Sequence, residues 1–94
     1  MAAYVILDIE VTDPEGYEEY KRASGSVDRY GGTFPIRGGA FEVLEGDWTP
    51  HRLVVIRFDS MERAREWWYS DDYRPARRIR ERTARTNVVL VEGA

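Results

Sequence analysis

From Ala3 to Val11 the chain alternates: Val5, Leu7, Ile9 and Val11 share one face, and Tyr4, Ile6, Asp8 and Glu10 share the other. That period of two predicts a β-strand with one face in a core. Thr12-Asp13-Pro14-Glu15 then opens a helix. Thr12 or Asp13 supplies a cap, Pro14 suits the first turn, and Glu15 stands three residues after Thr12 as in a capping box. Tyr17, Tyr20, Ser24 and Val27 recur at helical spacing, so this helix is expected to reach about Tyr30 and to end on Gly31-Gly32. Thr33 to Ile36 and Phe41 to Glu45 read as two pieces of one strand, interrupted at Arg37-Gly38-Gly39 by a bulge or a hairpin-like break, with Gly38 or Gly39 expected to hold a positive φ or a bulge that aims Arg37.

Gly46-Asp47-Trp48-Thr49-Pro50 is turn chemistry, and the nearly continuous apolar and branched run from Arg52 to Asp59 is expected to be a central strand. Asp59 or Ser60 caps a second helix whose inner stripe is Met61, Ala64, Trp67 and Trp68. Ser70 caps a restart with Asp71 and Asp72 in its first turn and Tyr73, Ala76, Ile79 and Thr83 facing inward, so this helix is expected to kink or split near Ser70. Asn87 to Glu92 closes as the last strand. The order is β-α-β-β-α-β in one domain, residues 1–94.

Two helices cover only one face of a four-stranded sheet. The other face would carry Tyr4, Ile6, Asp8 and alternate residues of the later strands, a mixture too apolar to leave in water. A homodimer with sheets facing is therefore expected, enclosing a cavity lined by aromatics and a few charges that would suit a small-molecule ligand. A chain this short buries roughly 60 to 65% of its unfolded surface, so association would also reinforce a thin core.

Composition narrows the chemistry. With 43% hydrophobic and 33% charged residues the chain is an ordinary globular one. No apolar run approaches the roughly 18 residues that span a bilayer, and no basic leader precedes the first strand, so a cytoplasmic protein without membrane contact is expected. The absence of cysteine excludes disulfides, thiolate metal sites and thiol nucleophiles. Net charge is −3, with 10 acids and 4 bases in residues 1–47 against 7 acids and 10 bases in 48–94. A net acidic chain argues against general nucleic-acid binding, and Arg52 to Asp59 lacks the exposed aromatics an RNA-recognition sheet needs, offering only Phe58.

Three residues carry the catalytic candidacy. Arg37 precedes two glycines that let a ligand approach, and its guanidinium can fork onto a carboxylate or phosphate; the competing reading is an ion pair with Asp8, Glu10 or Glu42. Asp8 is the matching acid on the uncovered face. His51 can act as a general base if it points into the cavity mouth, or can simply be a solvated loop residue. As the only histidine, it cannot build a two-histidine metal site within one subunit, so neither metal nor cofactor is expected. Tyr20, Trp67 and Tyr73 are core by spacing and ligand lining by chemistry, Trp48 in its turn suits interface packing or a ligand lid, and Ser70, best read as a cap, borders the same region. Arginine fills six of the twelve positions from Arg74 to Arg85, and the four-residue spacing of Arg77, Glu81 and Arg85 favours a solvated, internally paired face over a phosphate-binding stripe.

Tyr30-Gly31-Gly32, Arg37-Gly38-Gly39, Leu44-Glu45-Gly46 with Trp48 and Pro50, Ser60, Trp67 with an aromatic at 68, Ser70, Tyr73 and the ending Leu90-Val91-Glu92-Gly93 together resemble domain of unknown function family 1330, within the dimeric α+β barrel superfamily. Trp68 stands where that family commonly has tyrosine or phenylalanine, and Asp72 where glutamate is usual. The resemblance covers nearly the whole chain. It implies an α+β, ferredoxin-like fold with a four-stranded antiparallel sheet and a dimeric barrel, and it implies no reaction. The wider superfamily includes cofactor-independent monooxygenases, muconolactone-type isomerases and ligand sensors. Two functional classes follow: a homodimer that binds a small anionic or partly apolar organic molecule, with or without cofactor-independent oxygenase- or isomerase-like activity, or a non-enzymatic ligand-sensing or protein-interaction module.

Overall fold

The computed structural model describes all residues, 1–94, and runs β1 (Ala3–Val11), α1 (Pro14–Ala23), α2 (Ser26–Arg29), β2 (Thr33–Arg37), β3 (Arg52–Phe58), α3 (Met61–Trp68), α4 (Arg74–Thr83) and β4 (Ala84–Glu92). The four strands form one antiparallel sheet in the order β2-β3-β1-β4. This is the expected ferredoxin-like arrangement, with the long apolar strands β3 and β1 in the middle.

Pairing register fixes which side chains share a face, because residues directly opposite on antiparallel strands point the same way. On the helix side, Val5, Leu7 and Ile9 of β1 stand beside Ile56, Val54 and Arg52 of β3 and beside Leu90, Val88 and Thr86 of β4. Helices α1, α3 and α4 lie over these rows and contribute Tyr17, Tyr20, Ala64, Trp67, Tyr73 and Ala76 to the core. Each such aliphatic or aromatic side chain stabilises by about 1.5–3 kcal/mol on burial. On the uncovered side, Ile36, Val55, Ile6 and Val89 form one row and Arg57, Tyr4 and Val91 the next. Ile36, Val89 and Val91 are exposed, so the chain alone leaves an apolar sheet face in water.

Helix starts follow the chemistry of their caps. The Asp13 carboxylate accepts from the Gly16 backbone N–H at 3.2 Å with Pro14 in the first turn, and the Ser60 hydroxyl accepts from that of Arg63 at 3.0 Å. The Ser70 hydroxyl accepts from the Tyr73 N–H at 3.1 Å and donates to the Trp67 carbonyl at 2.7 Å, which splits the second helix there. Residues 71–73 form a turn, however, so Ser70 caps that turn rather than α4, which begins at Arg74 with neither Asp71 nor Asp72 in its first turn. The first helix does not run unbroken to Tyr30. It stops at Ala23, with the Ser24 hydroxyl turned back onto the Lys21 carbonyl at 3.0 Å, and Gly25 allows a restart as α2. The shift brings Ser26 rather than Ser24 fully inside. Gly31 ends α2 at φ +74°.

The second strand is also shorter than its sequence suggests. β2 ends at Arg37, opposite Val54, and Gly38 adds one more bond, its N–H donating to the Leu53 carbonyl at 2.8 Å. β3 begins at Arg52, so nothing remains for Phe41 to Glu45 to pair with, and residues 38–51 form a loop. Gly38 has φ +70°, as expected for one of the pair, and a Cβ there would collide with the Arg52 guanidinium. The glycine serves that neighbour rather than aiming Arg37. At the other edge, β4 begins at Ala84, three residues before its predicted start.

Candidate functional site

The sheet separates the charged residues that the sequence offers as one site. Asp8 points to the uncovered face, in the row of Leu53 and Asn87, whereas Arg37 is opposite Val54 and therefore lies on the helix side. Arg37 makes none of the ion pairs considered for it; its guanidinium lies 4.1 Å from the centre of the Phe34 ring. Asp8 and His51, in contrast, are brought together.

Around Asp8 the loop of residues 38–51 is fastened to the sheet. One carboxylate oxygen accepts from the His51 backbone N–H at 2.9 Å and the other from the Trp48 indole N–H at 3.0 Å. The His51 ring stands 3.7 Å from Asp8 through Nδ1 and 3.2 Å from Glu10 through Nε2, and Arg85 approaches Glu10 at 3.9 Å. The backbone N–H of His51 is the main reason that the Asp8 carboxyl is held below its ordinary value; burial opposes it, and the Trp48 indole and His51 ring assist. An open cleft of about 330 Å³ lies over this cluster. Its chemistry is that of a clamp: both oxygens of Asp8 are occupied by groups that hold the loop.

On the helix side, α1 and the sheet enclose a second pocket. Leu7, Ile9, Tyr17, Tyr20, Val27, Val54, Ile56 and Trp67 give it an apolar wall, and Phe34 with Lys21, Ser24, Arg37 and Arg52 completes it. Beyond the Tyr17 and Tyr20 hydroxyls and the Trp67 indole, its polar side chains are the Ser24 hydroxyl and three cations. Lys21 is paired with Glu18 at 3.1 Å, but neither arginine has a carboxylate partner, and Nε of Arg52 is buried without any hydrogen-bond partner. Burying an unpaired cation is costly, so such a group marks a place where an anion is stabilising.

Behind that wall runs a string of buried polar groups. The Tyr20 and Tyr73 hydroxyls are 3.1 Å apart, Nε–H of Arg80 donates to Tyr73 at 3.4 Å, and the Trp67 indole N–H donates to the Ser26 hydroxyl at 3.1 Å. Burial, followed by Tyr73, pushes the Tyr20 hydroxyl far above the ordinary tyrosine range, so it stays a proton donor. Of the residues singled out as ligand lining, Tyr20 and Trp67 do line the pocket, Tyr73 supports it from behind, Ser70 closes the turn before α4, and Trp48 belongs to the clamp on the opposite face.

Arg80 and Arg52 are the residues that sequence reasoning missed. Arg80 is only 4% exposed, an exception within the otherwise solvated arginine face, with its guanidinium 5.7 Å from the Trp68 ring. Its place four residues before Ala84 and seven after Tyr73, on the Tyr73-Ala76 stripe, was the available signal. Arg52 was readable only as the start of a strand. Of the pairs proposed along α4, Arg77 does face Glu81, at 3.9 Å, while Arg85 turns to Glu10.

A family profile described as Domain of unknown function (DUF1330) matches residues 2–94. No curated protein matches the chain. Among solved structures, it is similar to the RPA0582 protein of unknown function from Rhodopseudomonas palustris, a structural-genomics target. Identity there is 17% with a TM-score of 0.77, covering 99% of this chain and 82% of that one. It is also similar to SnoaB, a cofactor-independent oxygenase from Streptomyces nogalater. In that case identity is 14% and the TM-score 0.61, over 99% of this chain and 92% of the other. At these identities the likeness is one of fold.

Proposed function

The chain belongs to the family described as Domain of unknown function (DUF1330), and we propose that it binds a small organic anion with a partly apolar body in the pocket between α1 and the sheet. The carrying observation is that Arg37 and Arg52, beside Lys21 and Ser24, line a largely apolar pocket that has no carboxylate on its wall, with Nε of Arg52 buried and unpartnered. A ligand carboxylate would supply the missing acceptor through charge-assisted hydrogen bonds, roughly twice as strong as neutral ones.

The same wall favours one of the functional classes. An isomerase- or oxygenase-like reaction that removes a proton from carbon needs a base, and the pocket contains neither carboxylate nor imidazole. Tyr20, its pKa raised by burial, keeps its proton and is no base. The binding reading therefore leads, with the ligand sensed rather than transformed. The fold shared with SnoaB keeps an oxygenase-like reaction as the second reading, since a substrate acidic enough to lose its proton to solvent would need only the cationic pocket.

Arg37→Ala tests the site. The variant is expected to melt within about 4 °C of the native protein, because Arg37 is exposed and its guanidinium stacks on the Phe34 ring without an ion-pair partner. A carboxylate present at about 100 times its Kd should raise the native melting temperature by roughly 10 °C or more and leave the variant unmoved. A variant that unfolds, or that responds as the native protein does, would remove Arg37 from the site.

The protein is proposed to act as a homodimer, joined through the uncovered sheet face. The rows Ile36-Val55-Ile6-Val89 and Tyr4-Val91 support this, since apolar area of this kind is stabilised by removal from water. Light scattering at low micromolar concentration is expected to give about twice the 10.9 kDa chain mass. Val89→Glu and Ile6→Glu should return a monomer, and a native monomer would end the proposal. No helix is long and apolar enough to cross a membrane.

A further inference from the structure

The space inside the α1 pocket is about 30 Å³, room for about two or three water-sized groups, whereas a cavity that takes up benzene is about 150 Å³. It opens past Lys21, Ser24, Val27, Phe34 and Arg37 onto an outer vestibule of about 250 Å³ that these residues share with Arg22, Gly25 and Asp28. Asp28 is the one carboxylate there, and it pairs with neither Arg37 nor Arg52. The inner walls are also pinned. Tyr20 is tied through its hydroxyl to Tyr73 and so to Arg80, and Trp67 through its indole N–H to Ser26, while the Trp67 and Tyr73 rings lie 4.1 Å apart. Swinging either ring aside to admit a larger group would leave a buried hydroxyl without its partner, at the full desolvation cost of that group.

Resting on the anion-binding reading above, we infer that the ligand class is a short aliphatic carboxylate of about two to four carbons. Its carboxylate lies at the boundary of the two spaces, between Arg37, Arg52 and Lys21, and its methyl end fills the inner space against Ile9, Val54 and Ile56. Ring acids and long chains are refused because the pinned aromatics cannot yield.

The test is a chemical-shift titration of the native protein with formate, acetate, propionate, butyrate, hexanoate and benzoate, with ionic strength held by chloride. Affinity should rise about fourfold per added methylene from acetate to butyrate, the value of burying one such group. Hexanoate and benzoate should then bind at least about tenfold more weakly than butyrate. Arg52→Gln, or Arg37→Ala should that variant fail to fold, is expected to abolish all of these responses. Ile56→Val, which widens the inner space by one methylene, should move the optimum to a longer acid. If benzoate or hexanoate binds as well as butyrate and still needs Arg52, the size limit is overturned while the anion reading stands. If no acid titrates, or Arg52→Gln binds like the native protein, the anion reading fails and the inference falls with it.

Discussion

Trp67→Ala is expected to cost about 3–5 kcal/mol, much of the 5–15 kcal/mol that holds a domain together. The indole is fully buried, with ring centres 4.1 Å from Tyr73, 5.3 Å from Phe58 and 6.0 Å from Trp68, so its removal leaves a hole that three rings border. The urea midpoint followed by far-ultraviolet circular dichroism should fall steeply, with the slope of the transition retained. Trp67→Phe keeps much of the volume but strands the Ser26 hydroxyl, and should cost about 1–3 kcal/mol. Combined with Ser26→Ala it should cost less than the sum of the two single changes, because both remove the same hydrogen bond. A loss below about 1 kcal/mol in Trp67→Ala would mean that the core rests elsewhere.

Asp8→Ala should release the loop of residues 38–51. Two hydrogen bonds to one carboxylate are lost, about 1–3 kcal/mol for each donor left without an acceptor, less what water restores. The effect is local: amide exchange at His51 should accelerate at least about tenfold and Trp48 fluorescence should shift to the red, while β1 and β3 remain paired. The same residue sets an acid limb. Because the folded protein holds the Asp8 carboxyl below its ordinary 3.8, its contribution is complete above that value and is lost as pH falls through the lower folded value. Asp8→Asn should accordingly flatten the decline in stability below about pH 4. An unchanged acid limb would show that other carboxylates govern it.

The element order was legible because three signals are local: alternation in β1 and β3, side-chain caps at Asp13 and Ser60, and glycine where the backbone turns left-handed. Phe41 to Glu45 shows where local reading ends. Its residues suit a strand, but a strand needs a neighbour, and whether β3 extends far enough to provide one is a matter of register that no window of sequence contains. The site failed for a related reason. Asp8 and Arg37 look like an acid and base on one sheet, yet a shift of one position in the ladder decides the face, and it sends them to opposite sides. Arg80 was hidden by its company: five other arginines in its stretch are solvent-facing or partly so, and only the packing of α4 against α1 selects the one that turns inward.

His51 and Arg52 are consecutive, and at the head of β3 they work opposite faces of the sheet: His51 is gripped from the loop side by Asp8, and Arg52 reaches into the α1 pocket. One peptide bond thus joins the buckle of the loop to the floor of the pocket. A substitution at Asp8 is therefore expected to be felt on the far side of the sheet through a single backbone link.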